Sequence, residues 1–163
     1  MKKICAKSLS MGSIFAVLLA GPAFAANGPL GLGVILGEPT GFSGKYWLDA
    51  NRDRAIDFGL AWSLSDDVGF HIHGDYLLHN YSLLRDAFHV TKGKMPLYYG
   101  LGARFQLGEG HHDDETGLRI PVGMSYLFAD VPVDVFAELA PVVNFIPDTE
   151  LDLEGGIGAR FYF

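Results

Sequence analysis

LYYGLGARFQL, residues 97–107, alternates between two kinds of side chain without a break. Its odd-numbered positions are all apolar or aromatic, whereas its even-numbered positions include Gly100, Gly102, Arg104 and Gln106. Because successive side chains of a β-strand point to opposite faces, a period of two predicts a strand with one apolar face and one small or polar face.

The same alternation recurs along the chain and predicts an all-β fold. Glycine and proline interrupt every stretch that could otherwise support a long helix. Only residues 81–90 have apolar side chains spaced for one helical face, and a helix and an irregular loop both stay open there. The predicted fold is an eight-stranded antiparallel up-and-down β-barrel, with strands at residues 30–37, 41–48, 55–63, 68–80, 97–107, 118–128, 133–145 and 151–163.

Residues 1–25 have the features of a cleavable signal peptide. Lysines at positions 2, 3 and 7 precede a short apolar run at residues 11–19, and Ala23-Phe24-Ala25 supplies the small-x-small pattern of a cleavage site. The apolar run is shorter than the ~20 residues that a membrane-spanning helix needs. We therefore expect a signal peptide at residues 1–25 and one β-barrel domain at residues 26–163. Cys5 is the only cysteine, so we expect the mature chain to fold without a disulfide.

The mature chain is acidic. Three of the 12 lysines and arginines lie in the signal peptide, whereas all 19 carboxylates lie in residues 26–163, which gives this part a formal net charge of −10. A nucleic-acid partner would require a basic stripe, and binding to anionic lipid headgroups would require a basic face. The charge therefore argues against both kinds of partner.

Two classes of barrel share this alternation. A soluble lipocalin-like ligand-binding barrel turns its apolar face inward, whereas a transmembrane barrel turns it toward lipid. The glycine-rich polar face favours the membrane, because a soluble exterior usually carries many lysines and glutamates. Aromatic residues near the predicted strand ends also favour it, since such residues form girdles at membrane interfaces. They are Tyr46, Trp47, Trp62, Tyr76, Tyr81, Tyr98, Tyr99, Tyr126, Phe128 and residues 161–163. We expect the transmembrane barrel, with the lipocalin-like barrel as the alternative.

The signal peptide, the eight strands and the terminal aromatic residue resemble the OmpA/OmpX-like small outer-membrane barrels over the whole mature chain. Four segments more narrowly resemble a poorly characterised bacterial outer-membrane β-barrel protein family: DYL at 75–77, LYYGLGAR at 97–104, RIPVG at 119–123 and ELAP at 138–141. The resemblance implies an integral, multi-pass protein of the Gram-negative cell envelope. An even number of strands then leaves both termini in the periplasm. The resemblance implies no activity.

In such barrels a terminal phenylalanine preceded by alternate apolar residues resembles the signal that the β-barrel assembly machinery recognises. Ile157, Phe161 and Phe163 match that pattern here. We therefore expect contact with this machinery during biogenesis, lasting contact with outer-membrane lipid and lipopolysaccharide, and a monomeric protein. The sequence identifies no surface partner.

The polar face of the predicted strands forms the interior of a transmembrane barrel. Charges buried there are tolerated only when they are paired and hydrogen-bonded. Four cations among six carboxylates, with two histidines nearby, predict a polar plug and no open channel, since eight strands enclose only enough space for side chains. The predicted network comprises Lys45, Asp57, His71, His73, Asp75, Arg104, Arg119, Asp134, Glu138, Asp152, Glu154 and Arg160.

His71, His73 and Asp75 are the candidate metal ligands. Their period of two places them on one strand face, with neighbours ~7 Å apart, and imidazole and carboxylate both bind zinc. The sequence fixes no fourth ligand, so we expect no metal and no cofactor. The histidine-rich and acidic residues 111–115 are expected to form a solvated loop.

Some eight-stranded barrels modify lipopolysaccharide, and lipid A deacylases and palmitoyltransferases are similar to this chain in architecture. They use a serine with a histidine and an acidic partner, and in the deacylase group the histidine and serine lie two residues apart on one strand face. Neither His71 nor His73 has a serine at that offset, and His79 and Ser82 have the wrong spacing. We therefore expect a structural or surface-interaction role and no enzyme, with a lipid A-modifying enzyme as the alternative.

Overall fold

The computed structural model describes residues 28–61, 68–84, 91–108 and 114–163, so the expected signal peptide at residues 1–25 lies outside the described residues. The prediction of an all-β fold is confirmed. The strands are β1 (Leu30–Glu38), β2 (Gly41–Trp47), β3 (Arg54–Ala61), β4 (Val68–Asn80), β5 (Leu97–Gly108), β6 (Glu115–Arg119), β7 (Val122–Leu127), β8 (Val133–Ile146) and β9 (Leu151–Tyr162).

Antiparallel pairing joins these nine strands into one closed ring. Each strand from β1 to β4 pairs with the next strand along the chain, and β9 pairs with both β8 and β1. β6 and β7 share one position in the ring, because each of them pairs with β5 on one side and with β8 on the other. The ring therefore has eight positions around its circumference, and β4 and β9 lie at opposite positions.

The prediction of one continuous strand at residues 118–128 is wrong, since Ile120 and Pro121 separate β6 from β7. Proline has no N–H to donate, so it interrupts a ladder of hydrogen bonds. The pairing continues around the break. The Ile120 N–H donates to the Pro141 carbonyl, and the Gly100 N–H donates to the Pro121 carbonyl, both at 2.9 Å.

The ring has two rims. We call the rim where β1 begins and β9 ends the proximal rim, and the opposite one the distal rim. The connections after β2, β4 and β7 lie at the proximal rim. Residues 82–84 in the second of these are helical, and residues 85–90, for which the sequence left helix and loop open, lie outside the described residues. No helix among the described residues is long and apolar enough to cross a membrane.

Asp49 holds the proximal connection between β2 and β3. Its carboxylate accepts hydrogen bonds from the backbone N–H groups of Asp53 and Arg54, both at 3.0 Å. These hydrogen bonds hold the pKa of the Asp49 carboxyl below its usual value, and the bond from Asp53 has the largest effect. Because the pKa is lowered, the resulting stabilisation is present above the usual pKa and is lost as the pH falls.

The two faces of the ring have opposite character. Among the described residues, 30 large apolar side chains are exposed, most of them on the outer face of the strands. Fifteen polar or charged side chains are buried, and they lie on the inner face. Between their ends, the nine described strands carry no charged residue at an outward position. The polarity of the ring is thus the reverse of that of a water-soluble protein.

Glycines make room for the large side chains of the interior. A Cβ atom added at any of seven inward glycines would overlap the side chain of the residue that is directly paired with that glycine on the adjacent strand. The pairs are Gly31 with Tyr162, Gly59 with His73, Gly100 with Leu77, Gly102 with Asp75, Gly117 with Asn144, Gly123 with Tyr98, and Gly158 with Phe136.

Three aromatic residues that we assigned to an interfacial girdle point into the ring instead. Trp47, Tyr98 and Tyr162 are buried. Each of them lies an even number of residues from an inward charged residue of the same strand, so its side chain points to the same face. Trp47 stacks on Tyr162 with the ring centroids 6.3 Å apart, and His79 lies 4.5 Å from Trp47. These residues form an aromatic layer at the proximal end of the interior. Tyr46, Tyr76, Tyr99, Phe128 and Phe161 are exposed, as a girdle requires, and Trp62 lies outside the described residues.

Leu77 and Leu78 of β4 allow a matched test of the two faces. Leu77 is fully buried with Ile35, Tyr98 and Phe136, whereas Leu78 is 38% exposed. We expect Leu77→Ala to lower the free energy of unfolding by about 2–5 kcal/mol, because it leaves a cavity. Leu78→Ala leaves no cavity and should cost less than half as much. Urea unfolding followed by tryptophan fluorescence measures both, and equal losses would contradict this assignment of faces.

Candidate functional site

The structure brings the predicted interior residues together inside the ring. Eleven of the twelve side chains are buried, and Asp152, near the distal rim, is partly exposed. They form two groups. We call Lys45, Asp57, Asp134 and Arg160 the Arg160 cluster. The two-arginine cluster consists of Arg104 and Arg119 with the carboxylates of Asp75, Glu115, Glu138, Asp152 and Glu154.

Arg119 of β6 binds carboxylates from three other strands. Its guanidinium donates to Glu138 at 2.6 Å, to Glu154 at 2.9 Å and to Asp75. All four side chains are buried. Charge-assisted hydrogen bonds of this kind are about twice as strong as neutral ones. Arg119 therefore ties β4, β8 and β9 to β6 through the middle of the ring.

Arg104 of β5 makes a second set of bonds near the distal rim. It donates to Glu154 and Asp152 at 2.8 Å, to Glu115 at 2.6 Å and to Asn144 at 2.9 Å. The side chains of Glu115 and Asp152 are 31% and 38% exposed. The two-arginine cluster is thus buried at its centre and reaches water at the distal rim.

The two-arginine cluster has more negative than positive groups. Two guanidinium groups face five carboxylates: Asp75, Glu115, Glu138, Asp152 and Glu154. With all of these groups ionised, the cluster carries three excess negative charges. The Arg160 cluster, by contrast, has two cations and two carboxylates. Asp57 pairs with both cations, and Asp134 accepts a hydrogen bond from the Tyr162 hydroxyl at 2.8 Å.

The Arg160 cluster combines ion pairs with aromatic contacts. The Arg160 guanidinium lies 3.1 Å from Asp57 and 3.8 Å from the centre of the Phe136 ring, where a cation–π interaction forms. The Lys45 ammonium lies 3.9 Å from Asp57 and 4.6 Å from the centre of the Tyr98 ring. These contacts fill the space between the aromatic layer and the two-arginine cluster.

His71 and His73 meet Glu154 across the ring. His71 Nε2 lies 3.0 Å from His73 Nδ1, and His71 Nδ1 lies 3.8 Å from a Glu154 carboxylate oxygen. One ligand atom from each of these three buried residues lies within 4.8 Å of the other two. Asp75, which the sequence grouped with the histidines, pairs with Arg119 instead.

Three inward polar residues lie outside the predicted network. His79 is buried beside Lys45, with the two nitrogens 3.4 Å apart, and Asn144 and Glu115 bind Arg104. His79 has the same phase as His73, and Asn144 has the same phase as Glu138, so alternation alone identifies both. Glu115 was not included in the predicted network because we expected residues 111–115 to form a loop. Residues 111–113 lie outside the described residues, and Glu115 begins β6.

The described serines do not pair with the interior histidines. Ser43 and Ser125 are buried inward residues, and the Ser82 hydroxyl donates to the Asn80 side chain at 2.8 Å. Of the expected assembly-signal residues, Ile157 and Phe161 are exposed on the outer face of β9. The Phe163 ring lies 5.1 Å from the Phe161 ring.

No protein-family model, curated protein or solved structure matches this chain.

Arg119 and Arg54 provide a matched test of the buried network. Arg119→Met leaves three buried carboxylates without this partner, and we expect it to lower the free energy of unfolding by about 3–5 kcal/mol. Arg54→Met removes an exposed ion pair with Asp49 and should have a much smaller effect. Urea unfolding measures both variants. An equally small effect of the two substitutions would mean that the network does not stabilise the fold.

Proposed function

We propose that this chain is an integral β-barrel of the bacterial outer membrane, with a filled polar interior, no open channel and a structural or surface-interaction role. The observation that carries the proposal is the reversed polarity of the ring. Large apolar side chains that face outward in such number are costly in water, where the largest exposed apolar patch of a monomeric protein is typically about 300–600 Å². In hydrocarbon the same face is stable.

The height of the apolar belt supports a membrane location. On β9 the outward apolar residues run from Leu151 to Phe161. Ten residue steps correspond to about 33 Å along a strand. At a tilt of about 40°, that distance corresponds to about 25 Å across a bilayer, the height of the apolar band of outer-membrane barrels.

Closure of the ring also supports this location. A strand edge exposed to hydrocarbon would leave backbone N–H and C=O groups unpaired, at a cost of several kcal/mol per group. Every strand position in this ring has a hydrogen-bonded neighbour on both sides. The break at Pro121 is compatible with a lipid environment, because the adjacent backbone groups bond to β5 and β8.

The filled interior supports a closed barrel. The two charge clusters and the aromatic layer occupy successive levels inside the ring, and the guanidinium of Arg52 lies over the rings of Trp47 and Tyr162. A recess of about 710 Å³ is present at the proximal rim, and its lining includes Trp47 of the aromatic layer and Leu127, which packs with Trp47. Paired charges and packed aromatic rings leave ions no continuous aqueous path.

The same observations weaken the alternatives. A lipocalin-like barrel requires an apolar lining around its ligand, whereas the described inner face is polar and charged. A lipid A-modifying enzyme requires a nucleophile that reaches the lipid, whereas Ser43 and Ser125 are buried inside the ring. We propose a monomer that contacts lipid and lipopolysaccharide, has its proximal rim in the periplasm and uses the β-barrel assembly machinery for insertion.

Two leucines on the outer face of β5 test the membrane location. Leu101 lies near the middle of the strand and Leu107 near its distal end, and both are exposed. We expect Leu101→Arg to destabilise the inserted barrel by about 2–4 kcal/mol and Leu107→Arg by about 0–1 kcal/mol, because the cost of a charge depends on its depth in the bilayer. Folding into phospholipid vesicles, measured as a heat-sensitive shift in gel mobility, gives both values.

The localisation of the wild-type chain provides the control. The wild-type chain should sediment with outer membranes and change its gel mobility on boiling. Recovery in the soluble periplasmic fraction, or equal costs of the two arginine substitutions, would refute the proposal.

A closed interior predicts negligible conductance. Purified protein should produce no stable unitary currents in planar bilayers at a protein concentration at which a porin, added as a positive control, inserts and conducts. Boiled protein serves as the negative control. Reproducible single-channel steps from the folded form would contradict the closed interior while leaving the membrane location intact.

A further inference from the structure

We propose that His71, His73 and Glu154 form a binding site for a divalent transition-metal ion, for which zinc is the probe. The site goes beyond the proposed envelope role and does not depend on it. It is assembled from two opposite positions of the ring, since both histidines come from β4 and the glutamate comes from β9.

The geometry of the three side chains is close to that of a metal site. A tetrahedral zinc ion with bonds of about 2.0–2.2 Å requires ligand atoms about 3.4 Å apart. His71 Nδ1 and the Glu154 oxygen are 3.8 Å apart, and one ligand atom of each residue lies within 4.8 Å of the others. His71 faces His73 through Nε2 and Glu154 through Nδ1, so binding of one ion by all three residues requires a rotation of the His71 ring. Two histidines and one glutamate are a ligand set that zinc uses with a fourth position left for water.

The charge of the surroundings favours a cation. Each oxygen of Glu154 accepts one hydrogen bond, from Arg104 or from Arg119. Because a carboxylate oxygen has two lone pairs, Glu154 can keep both arginines and still bind a metal. The arginines then hold the ligand in place, as outer-shell partners of metal ligands do. When all of these groups are ionised, the five carboxylates of the two-arginine cluster outnumber its two guanidinium groups by three.

The two-arginine cluster, to which Glu154 belongs, extends from the buried site to water. Asp152 and Glu115 belong to the same cluster and are partly exposed near the distal rim. Clefts lined by charges of one sign concentrate ions of the opposite sign. Asp75 lies on the same strand face as the histidines, but it is bound to Arg119. The ligand set therefore crosses the ring and does not follow a single strand.

The test is metal uptake by the folded, full mature chain. His111 and His112, which lie outside the described residues, are first replaced with glutamine, so that the parent protein has no histidine at these two positions. We expect this parent to take up one zinc ion per chain. His71→Gln and His73→Gln should each weaken the affinity about tenfold or more. His79→Gln, which alters a buried inward histidine of β4 outside the site, should leave it unchanged.

Cobalt(II) gives a second readout on the unsubstituted site. Tetrahedral coordination by imidazole and carboxylate gives intense visible absorption, whereas octahedral surface binding gives weak bands. The intense bands should appear at one equivalent and disappear on addition of excess zinc. Weak bands alone, absence of stoichiometric zinc uptake, or uptake unaffected by His71→Gln and His73→Gln in chains with native gel mobility would each overturn the proposal. The cobalt spectrum is decisive even where a glutamine variant does not fold.

Discussion

Glu154 is the residue on which the interior depends. One of its oxygens accepts a hydrogen bond from Arg104 and the other from Arg119, which lie 50 and 35 residues away in the chain. Through Arg119 the carboxylate is linked to Asp75 on β4 and Glu138 on β8. These partners meet only when the ring is closed. Closure of the sheet and neutralisation of the buried charges are therefore a single condition, and neither can be satisfied without the other.

The paired interior also explains why the outer face carries the apolar residues. A ring of eight positions is filled by the side chains that point inward, and here most of that volume is taken by charged and aromatic groups. Little apolar surface is left to bury inside. The hydrophobic contribution to stability must then come from what surrounds the ring, and in the proposed membrane location lipid supplies it.

Local alternation was enough to predict most of the strands and the sidedness of their residues. β4 was predicted to the residue, and Trp47 and Tyr162 could have been assigned inward from their shared phase with Lys45 and Arg160. The break at Pro121 follows from the missing N–H. The meeting of His71 with Glu154 could not be predicted, because it depends on how far each strand is shifted against the next around the whole ring. Strand spacing pointed to Asp75, the nearest carboxylate along β4.

The seven glycine pairs of the inner face have a consequence for how such a sequence can vary. Gly59 leaves the space that the His73 ring occupies, and Gly158 leaves the space for Phe136. A larger residue at either glycine fits only if its cross-strand partner becomes smaller at the same time. Volume is therefore exchanged between neighbouring strands, and substitutions inside the ring are accepted in coupled pairs, whereas outward positions can change one by one.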